Sequence, residues 1–223
     1  MNSLAELQSR IGYRFSDESR LQRALTHRSF GNENNERLEF LGDAVLGMVI
    51  ADVLFHREGR LAEGDLSRLR ASLVNRDSLA ELAGALELDT ILRLGGGEMK
   101  SGGARRSSVL ADAFEAIIGA IYIDGGFEAA DRFVREQFTD RLAALPDAEE
   151  LKDPKTRLQE FLQSRGEVLP IYELVSSSGP AHKREFVVSC RVDSLGLETN
   201  ATGRSRRRAE QAAAAKLLES MHG

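Results

Sequence analysis

Apolar residues recur at steps of three and four positions through the first two thirds of the chain, a spacing typical of helices with one buried face. The pattern is clearest after Glu36, where Leu38, Leu41, Val45 and Val49 form one stripe. Helices are predicted near Leu4, at 17–26 with Ser16 or Asp17 as the N-cap, from Glu36 to Ile50, from Ala62 to Val74, from Arg76 to Leu86 and from Ser107 to Tyr122. This part of the chain is predicted to be all-α.

The pattern changes after the acidic run that follows Pro146. A helix is predicted from Lys155 to Arg165, followed by three strands at 170–175, 185–192 and 197–201 and a last helix from Ser205 to Met221. The order α-β-β-β-α predicts a small α+β domain. We therefore expect an N-terminal domain at 1–146, a linker at 147–152 and a second domain at 153–223.

Three carboxylates interrupt the apolar pattern of the helix that begins at Glu36. Glu36, Glu39 and Asp43 follow one another at i, i+3 and i+7, so they share one face of that helix. A solvated face normally mixes in cations, but residues 38–54 contain neither Lys nor Arg. Like charges at this spacing repel, and burial raises the cost further. A hard divalent cation would relieve the repulsion, which makes this a candidate metal site.

A second acidic pair lies in the apolar helix that begins at Ser107. Asp112 and Glu115 are at i and i+3, and two such helices could converge on shared metal ions. A di-iron helical bundle also uses four carboxylates, but it needs a His three residues after a Glu, and Ile118 occupies that place after Glu115. Ligation by oxygen alone instead favours magnesium or manganese.

Several glycines and one histidine have predicted structural roles. Gly42 and Gly47 cost helix propensity, so we expect them to permit the close approach of another helix. The glycine-rich segment 95–103 lacks the Gly that a phosphate-binding loop has directly before its Lys, and we expect a flexible loop there. His27 stands at a helix end and is interpreted as a structural residue.

Charge is distributed unevenly along the chain. The net charge is −5, but residues 1–152 carry −7 and residues 153–223 carry +2. Arg206, Arg207 and Arg208 fall in the first turn of the last helix, where the helix dipole already favours an anion, so their placement indicates phosphate binding. The strands lack the pair of exposed aromatics that stacks single-stranded bases, which favours recognition of a duplex backbone.

Composition places the chain among ordinary soluble proteins. Cys190 is the sole cysteine, so no internal disulfide can form, as suits a reducing compartment. The N-terminus has no signal-peptide pattern. The longest apolar stretch, Val45 to Phe55, contains Asp52 and is too short to span a bilayer. We expect a cytoplasmic protein without a membrane partner.

Two stretches of the sequence resemble bacterial ribonuclease III. Residues 35–44, Asn-Glu-Arg-Leu-Glu-Phe-Leu-Gly-Asp-Ala, are similar to the signature of that family. Residues 153–221, with Asp-Pro-Lys-Thr at 153–156, Gly-Pro-Ala-His at 179–182 and Ser-Arg-Arg-Arg-Ala at 205–209, resemble a double-stranded RNA-binding domain. The resemblance covers nearly the whole chain and implies an all-α ribonuclease III-like endonuclease domain followed by an α-β-β-β-α RNA-binding domain.

The resemblance also implies a function and its residues. It implies an endoribonuclease that cuts double-stranded RNA with a magnesium-activated water (manganese being able to substitute), leaves 5′-phosphate and 3′-hydroxyl ends and processes ribosomal and other structured RNA precursors. The catalytic metal ligands would be Glu39, Asp43, Asp112 and Glu115. Supporting acidic positions would be Glu36, Glu63, Asp65 and Glu98. A symmetric homodimer would form through the N-terminal domain around the signature helix.

For the second domain, the resemblance implies contacts with two successive minor grooves and the phosphates between them. The residues that it assigns are Thr156, Gln159, Glu160 and Gln163 of the first helix, Pro180, Ala181 and His182 of the loop between the first two strands, and Arg206, Arg207 and Arg208. Thr156, Gln159 and Gln163 are spaced so that they share one helical face.

Two other classes of function stay open at this point. A duplex RNA-binding protein could act without cutting, and it would bind RNA without magnesium-dependent cleavage. A structural helical dimer could carry a merely solvated acidic face, and it would have no metal affinity. Both require the complete set of four carboxylates to be a coincidence.

Overall fold

The computed structural model describes residues 4–57, 61–149, 151–180 and 183–222. The chain divides into two compact units, Met1–Ala148 and Glu149–Gly223. Ala181 and His182, which are predicted to contact RNA, lie outside the described residues. No helix within the described ranges combines the length and the apolar character that crossing a membrane requires.

The first unit is helical, as predicted. Its helices are α1 Leu4–Arg10, α2 Glu18–Ala24, α3 Glu36–Phe55, α4 Glu63–Leu73, α5 Arg76–Ala85, α6 Gly96–Lys100 and α7 Ser107–Ala143. Asp17 is the N-cap of α2 and accepts a hydrogen bond from the Ser19 backbone N–H at 3.0 Å, in agreement with the prediction. The prediction of a flexible loop at 95–103 is wrong. Helix α6 lies within that segment, and a 3₁₀ turn at Gly103–Arg105 begins at its last residue.

Helices α3 and α7 form the centre of this unit and touch through their backbones. A Cβ atom on Gly42 would lie 1.8 Å from the Glu115 carbonyl oxygen, and one on Gly119 would lie 2.2 Å from the Leu38 carbonyl oxygen. Any side chain at either position would therefore force the two helices apart. Gly47 does not serve this purpose within the chain, because a Cβ there would meet nothing within 4 Å.

Helix α7 is longer than the sequence pattern predicts. It continues past Tyr122 to Ala143, and its backbone leaves the helical region at Gly126, where φ is +78°. Only glycine adopts that conformation without strain, so the helix bends there rather than ending. Beyond the bend, Phe133 and Phe138 pack against Phe114 with ring centroids 5.8 and 6.4 Å from it.

A buried carboxylate attaches the segment between α1 and α2 to α7 just before the bend. Asp124 has a side chain only 1% exposed. It accepts hydrogen bonds from the Tyr13 hydroxyl at 2.8 Å, the Ser16 hydroxyl at 2.7 Å and the Ser16 backbone N–H at 2.8 Å. Burial alone would raise the pKa of Asp124, but these donors outweigh it and hold the pKa at about 2. The bend is therefore fixed by an ionised, fully bonded side chain.

The second unit has the predicted α-β-β-β-α order. Its elements are α8 Pro154–Ser164, β1 Ile171–Ser178, β2 Glu185–Val192, β3 Leu197–Gly203 and α9 Arg206–His222. The strands form an antiparallel sheet in the order β1-β2-β3, with Tyr172 opposite Cys190 and Cys190 opposite Thr199. Buried residues of α8, the sheet and α9 make one core, among them Leu158, Leu162, Cys190, Val192 and Leu217. Asp153 caps α8 with Pro154 in its first turn, as predicted.

We predict that Gly42→Ala destabilises the first unit by about 3 kcal/mol or more, because the new methyl group would overlap the Glu115 carbonyl oxygen. Thermal and denaturant unfolding of the full chain would measure the loss.

Gly84→Ala is the matched control. Gly84 also lies in a helix, α5, but a Cβ there meets nothing within 4 Å, so stability should stay level or rise by up to roughly 1 kcal/mol. If Gly42→Ala were as stable as Gly84→Ala, the backbone contact between α3 and α7 would be disproved.

Candidate active site and nucleic-acid interface

Three of the four predicted metal-binding carboxylates come together where α3 meets α7. Glu39 of α3 and Asp112 and Glu115 of α7 each contribute one carboxylate oxygen to a group in which all three atoms lie within 4.8 Å of one another. All three residues are partly buried. The contact at Gly42 and Gly119 brings them together, since it removes the space that side chains would otherwise keep between the helices.

The electrostatics of this carboxylate cluster oppose its own ionisation. Burial, followed by the charges of Asp43, Glu39 and Asp112, raises the pKa of Glu115 to about 8. The pKa of Glu39 is raised by burial and then by Asp112, and burial raises the pKa of Asp112. A divalent cation would replace this repulsion by attraction, and a set of carboxylate oxygens suits a hard ion such as magnesium. The residues present therefore fit a metal.

Asp43, the fourth predicted ligand, lies outside this group of three. Its side chain is exposed one turn further along α3. Its charge nevertheless makes the largest electrostatic contribution to the raised pKa of Glu115, so it borders the cluster. Whether Asp43 joins the cluster as a ligand remains a prediction.

The supporting acidic residues have separate contacts. Glu36 lies 3.7 Å from Arg28, and Glu98 lies 2.7 Å from Arg106. Glu63 accepts a hydrogen bond from the Ser67 hydroxyl at 2.8 Å, and Asp65 pairs with Arg68 within α4. Glu36 and Glu98 border the space beside the carboxylate cluster, whereas Glu63 and Asp65 are held by their own helix.

A polar cavity of about 560 Å³ opens beside the carboxylates. Glu39 and Asp112 contribute to its wall, and other residues lining it are His27, Arg28, Ser29, Asn35, Glu36 and Arg106. The side-chain amide nitrogen of Asn35 is buried and has no hydrogen-bond partner among the described residues. The sequence pattern does not reveal these cationic and neutral donors, because they come from the segment after α2, the first residue before α3 and the start of α7.

In the second unit, the predicted RNA-contacting face of α8 is exposed. Thr156, Gln159 and Gln163 point away from the core, on the side opposite the buried Leu158 and Leu162. Of the other predicted residues, Glu160 is also exposed and accepts a hydrogen bond from Lys152 Nζ at 2.8 Å, and Pro180 is exposed beside the undescribed loop residues.

The three arginines at the start of α9 are exposed and differ in their partners. Arg206 lies 3.0 Å from Glu210, and Arg207 lies 3.7 Å from Asp153. Arg208 forms no ion pair with a described residue, and its backbone N–H donates to the Ser205 hydroxyl at 3.2 Å. Arg208 is thus the arginine most available to a phosphate.

Two polar contacts join the beginnings of α8 and α9. Lys155 Nζ lies 2.6 Å from Glu210, and Gln211 Nε2 donates to Asp153 at 2.8 Å. The exposed face of α8 and the arginines of α9 therefore keep a fixed spacing, as two contacts on one rigid duplex require. Their contact with RNA remains a prediction.

Two family models match the chain, one over each unit. The Ribonuclease-III-like family matches residues 17–142, and the double-stranded RNA binding motif matches residues 154–221.

Curated relatives and solved structures agree with these matches. The chain is 54% identical to ribonuclease 3 of Alkalilimnicola ehrlichii over 96% of its own length and 93% of that protein, and 54% identical to ribonuclease 3 of Bordetella avium over 97% and 86%. A structure of the nuclease domain of Campylobacter jejuni ribonuclease III, described for flexibility in the region involved in dimer formation, is 46% identical with a TM-score of 0.59 and covers 61% of this chain and 99% of that one.

Each unit matches a family model, and relatives of this identity cover nearly the whole length of the chain. These findings lead to one conclusion. The chain belongs to the ribonuclease III family and is an endoribonuclease that acts on double-stranded RNA.

Proposed function

We propose that this chain hydrolyses phosphodiester bonds of double-stranded RNA at the carboxylate cluster with magnesium, or manganese in its place, and leaves 5′-phosphate and 3′-hydroxyl ends. Ribonuclease III enzymes are metal-dependent nucleases, and the identity of the ion is part of this proposal. So are a homodimeric assembly, a cytoplasmic location and the processing of ribosomal and other structured RNA precursors.

The observation that carries the proposal is the convergence of Glu39, Asp112 and Glu115 from two helices within 4.8 Å. Folding brings three mutually repelling carboxylates into a half-buried site, and the pKa of Glu115 rises to about 8 as a result. Such an arrangement lowers stability in the absence of a cation, so its retention is understandable if a cation is needed for function.

The side chains have distinct tasks in this scheme. Glu39, Asp112 and Glu115 would hold the metal, and Asp43 would complete the ligand set from the exposed side of the cluster. A bound divalent ion supplies a water of lowered pKa and neutralises charge on the phosphate and the leaving 3′ oxygen. The cavity beside the cluster gives the RNA backbone a polar wall that includes Arg28 and Arg106.

The second unit would hold the duplex. The α8 face would lie in one minor groove, the loop containing Pro180, Ala181 and His182 in the next, and the α9 arginines along the phosphates between them. The contacts between Lys155 and Glu210 and between Asp153 and Gln211 support this proposal. They fix the spacing between the α8 face and the α9 arginines, which are two of the three proposed RNA contacts.

A homodimer is supported by an apolar stripe along α3. Phe40 is 81% exposed, Met48 61% and Phe55 72%, and their spacing places them on one side of the helix. Gly47 lies on the same side with open space above it. Large apolar side chains aligned in this way favour a second apolar surface as their partner, and a symmetric dimer would supply one. Each subunit would then cut one strand and leave short 3′ overhangs.

We predict that Glu115→Gln lowers magnesium-dependent cleavage of a long RNA duplex by more than about 100-fold while duplex binding persists, since a metal ligand is lost and the second unit is untouched. The same variant should make the metal-free protein more stable at pH 8. The raised pKa of Glu115 means that stability falls as the pH rises from the unfolded value near 4.3 to about 8, and Gln removes that loss. Gel-based cleavage and unfolding at pH 5 and pH 8 would measure both effects.

Glu128→Gln is the control for this variant, because Glu128 is exposed on the same helix and lies outside the cluster. It should keep wild-type cleavage. Duplex binding without magnesium-dependent cleavage by the wild-type chain would refute the nuclease proposal and support an RNA-binding protein that does not cut.

Neutralising Arg206, Arg207 and Arg208 to Gln should weaken duplex binding and reduce the slope of log affinity against log salt by about 1 to 3 units. The lower figure applies if Arg208 alone reaches phosphate, since Arg206 and Arg207 already have acidic neighbours. Cleavage chemistry at low salt should survive. Binding titrations at several salt concentrations would test this, with Lys216→Gln, further along α9, as control. An unchanged slope would contradict the assignment.

Phe40→Asp should convert the chain from a dimer to a monomer, because a symmetric interface would bury the new carboxylate twice. Light scattering should then give a mass near 24.5 kDa, the mass of one chain, instead of twice that value. Met99→Asp serves as the control, since Met99 is also an exposed apolar residue but lies on α6. A wild-type chain that is monomeric at micromolar concentration would refute the dimer.

A further inference from the structure

His27 occupies one wall of the cavity beside the carboxylates. We propose that His27 contacts the RNA substrate directly, donating a hydrogen bond from its Nε2–H to an oxygen of the RNA backbone at the cleavage centre. This inference rests on the proposed nuclease function and extends it, because it makes His27 a substrate-contacting residue rather than a structural one.

The position of the imidazole proton follows from the hydrogen bonds of the ring. Nδ1 accepts a hydrogen bond from the Ser29 backbone N–H at 3.2 Å and lies 2.8 Å from the Ser29 hydroxyl oxygen. A backbone N–H can only donate, so Nδ1 is the acceptor and the neutral ring carries its proton on Nε2. The ring is thereby set as a donor on its other side.

Ser29 is itself held in place. Its hydroxyl oxygen accepts a hydrogen bond from the Gly95 backbone N–H at 3.0 Å. A Cβ on Gly95 would lie 2.2 Å from the Ser29 carbonyl oxygen, so the two segments are in backbone contact. The His27 backbone N–H donates to the Arg93 carbonyl at 3.0 Å. The ring is therefore oriented before substrate arrives, which reduces the entropy lost on binding.

The Nε2 side of the ring makes no hydrogen bond with any residue in the described part of the chain. It shares the cavity of about 560 Å³ with Asp112. An oriented donor without a protein acceptor, beside the proposed cleavage centre, is suited to an oxygen of the substrate.

The other cationic residues of the cavity are less suited to this task. Arg28 faces Glu36 at 3.7 Å, and Arg106 faces Glu98 at 2.7 Å. A neutral N–H also bonds a phosphate oxygen without adding a positive charge that would compete with a nearby metal cation. His27 forms no ion pair with a described residue. With Nδ1 acting as an acceptor, its neutral ring can donate from Nε2 without adding a positive charge.

Three substitutions separate a substrate contact from a structural role. His27→Ala should lower the single-turnover cleavage rate of a long RNA duplex by about 10- to 100-fold, the usual effect of losing a hydrogen bond to a charged group. His27→Gln should restore much of the rate, because its amide nitrogen reaches the place of Nε2. His27→Asn should not, since its amide reaches only the place of Nδ1 and can keep the Ser29 contact alone. Duplex affinity and melting temperature should stay at wild-type values in all three.

His56→Ala is the control, because His56 is exposed at the end of α3 and does not line the cavity. Full activity of His27→Asn or His27→Ala would overturn the proposal, and so would ¹⁵N NMR of the imidazole showing the proton on Nδ1 in the free protein. Loss of melting temperature in step with activity would assign His27 a structural role instead. If wild-type chain failed to cut the duplex at all, the nuclease proposal would fail first and this one with it, whereas failure confined to the His27 variants would leave the nuclease proposal intact.

Discussion

The backbone contact between α3 and α7 is the constraint on which the N-terminal unit depends. Packed helices usually keep their axes 8–10 Å apart because side chains lie between them. Gly42 and Gly119 remove those side chains at the crossing, and the backbones touch. Glu39 on one helix and Asp112 and Glu115 on the other then share one small space. The chemistry of the site is thus a consequence of two residues that have no functional group.

This arrangement trades stability for function. Burial raises the pKa values of Glu39, Asp112 and Glu115, and repulsion from neighbouring carboxylates adds to the rise at Glu39 and Glu115. Each carboxylate is therefore costly to ionise in the folded chain. The apolar core around Phe114, Phe133 and Phe138, which includes the part of α7 beyond the Gly126 bend, offsets that cost. The bend itself is held by Asp124, a carboxylate with the opposite character, whose donors keep it ionised. Helix α7 therefore carries two kinds of buried carboxylate. Hydrogen-bond donors stabilise the ionised form of Asp124, whereas burial opposes the ionisation of Asp112 and Glu115.

The second unit achieves its proposed function by exposure rather than by burial. Its core is small, and the described residues proposed to contact RNA stand on its surface, along α8, in the loop after β1 and at the beginning of α9. The Lys155–Glu210 and Asp153–Gln211 contacts hold those two helix ends together. Because duplex RNA is recognised by its shape, the spacing between contacts matters more than the identity of any one side chain.

Local pattern was enough to predict most of the helices and the three strands, the α-β-β-β-α order and the Asp153–Pro154 helix start, because these depend on residues close together in the chain. It also identified the acidic residues, since charges without counter-charges on an apolar helix are visible in the sequence. It missed the part of α7 beyond Tyr122, where the backbone bends at Gly126 and the helix continues.

Tertiary structure alone decided which of those residues meet. It put Gly42, but not Gly47, in contact with another helix of the chain. It placed Asp43 at the border of the cluster rather than among Glu39, Asp112 and Glu115. It also brought His27 to the wall of the cavity that Asp112 lines. The physical reason is that periodicity specifies which face of a helix is buried but not which helix covers it. Contacts between residues more than seventy positions apart depend on how whole helices pack.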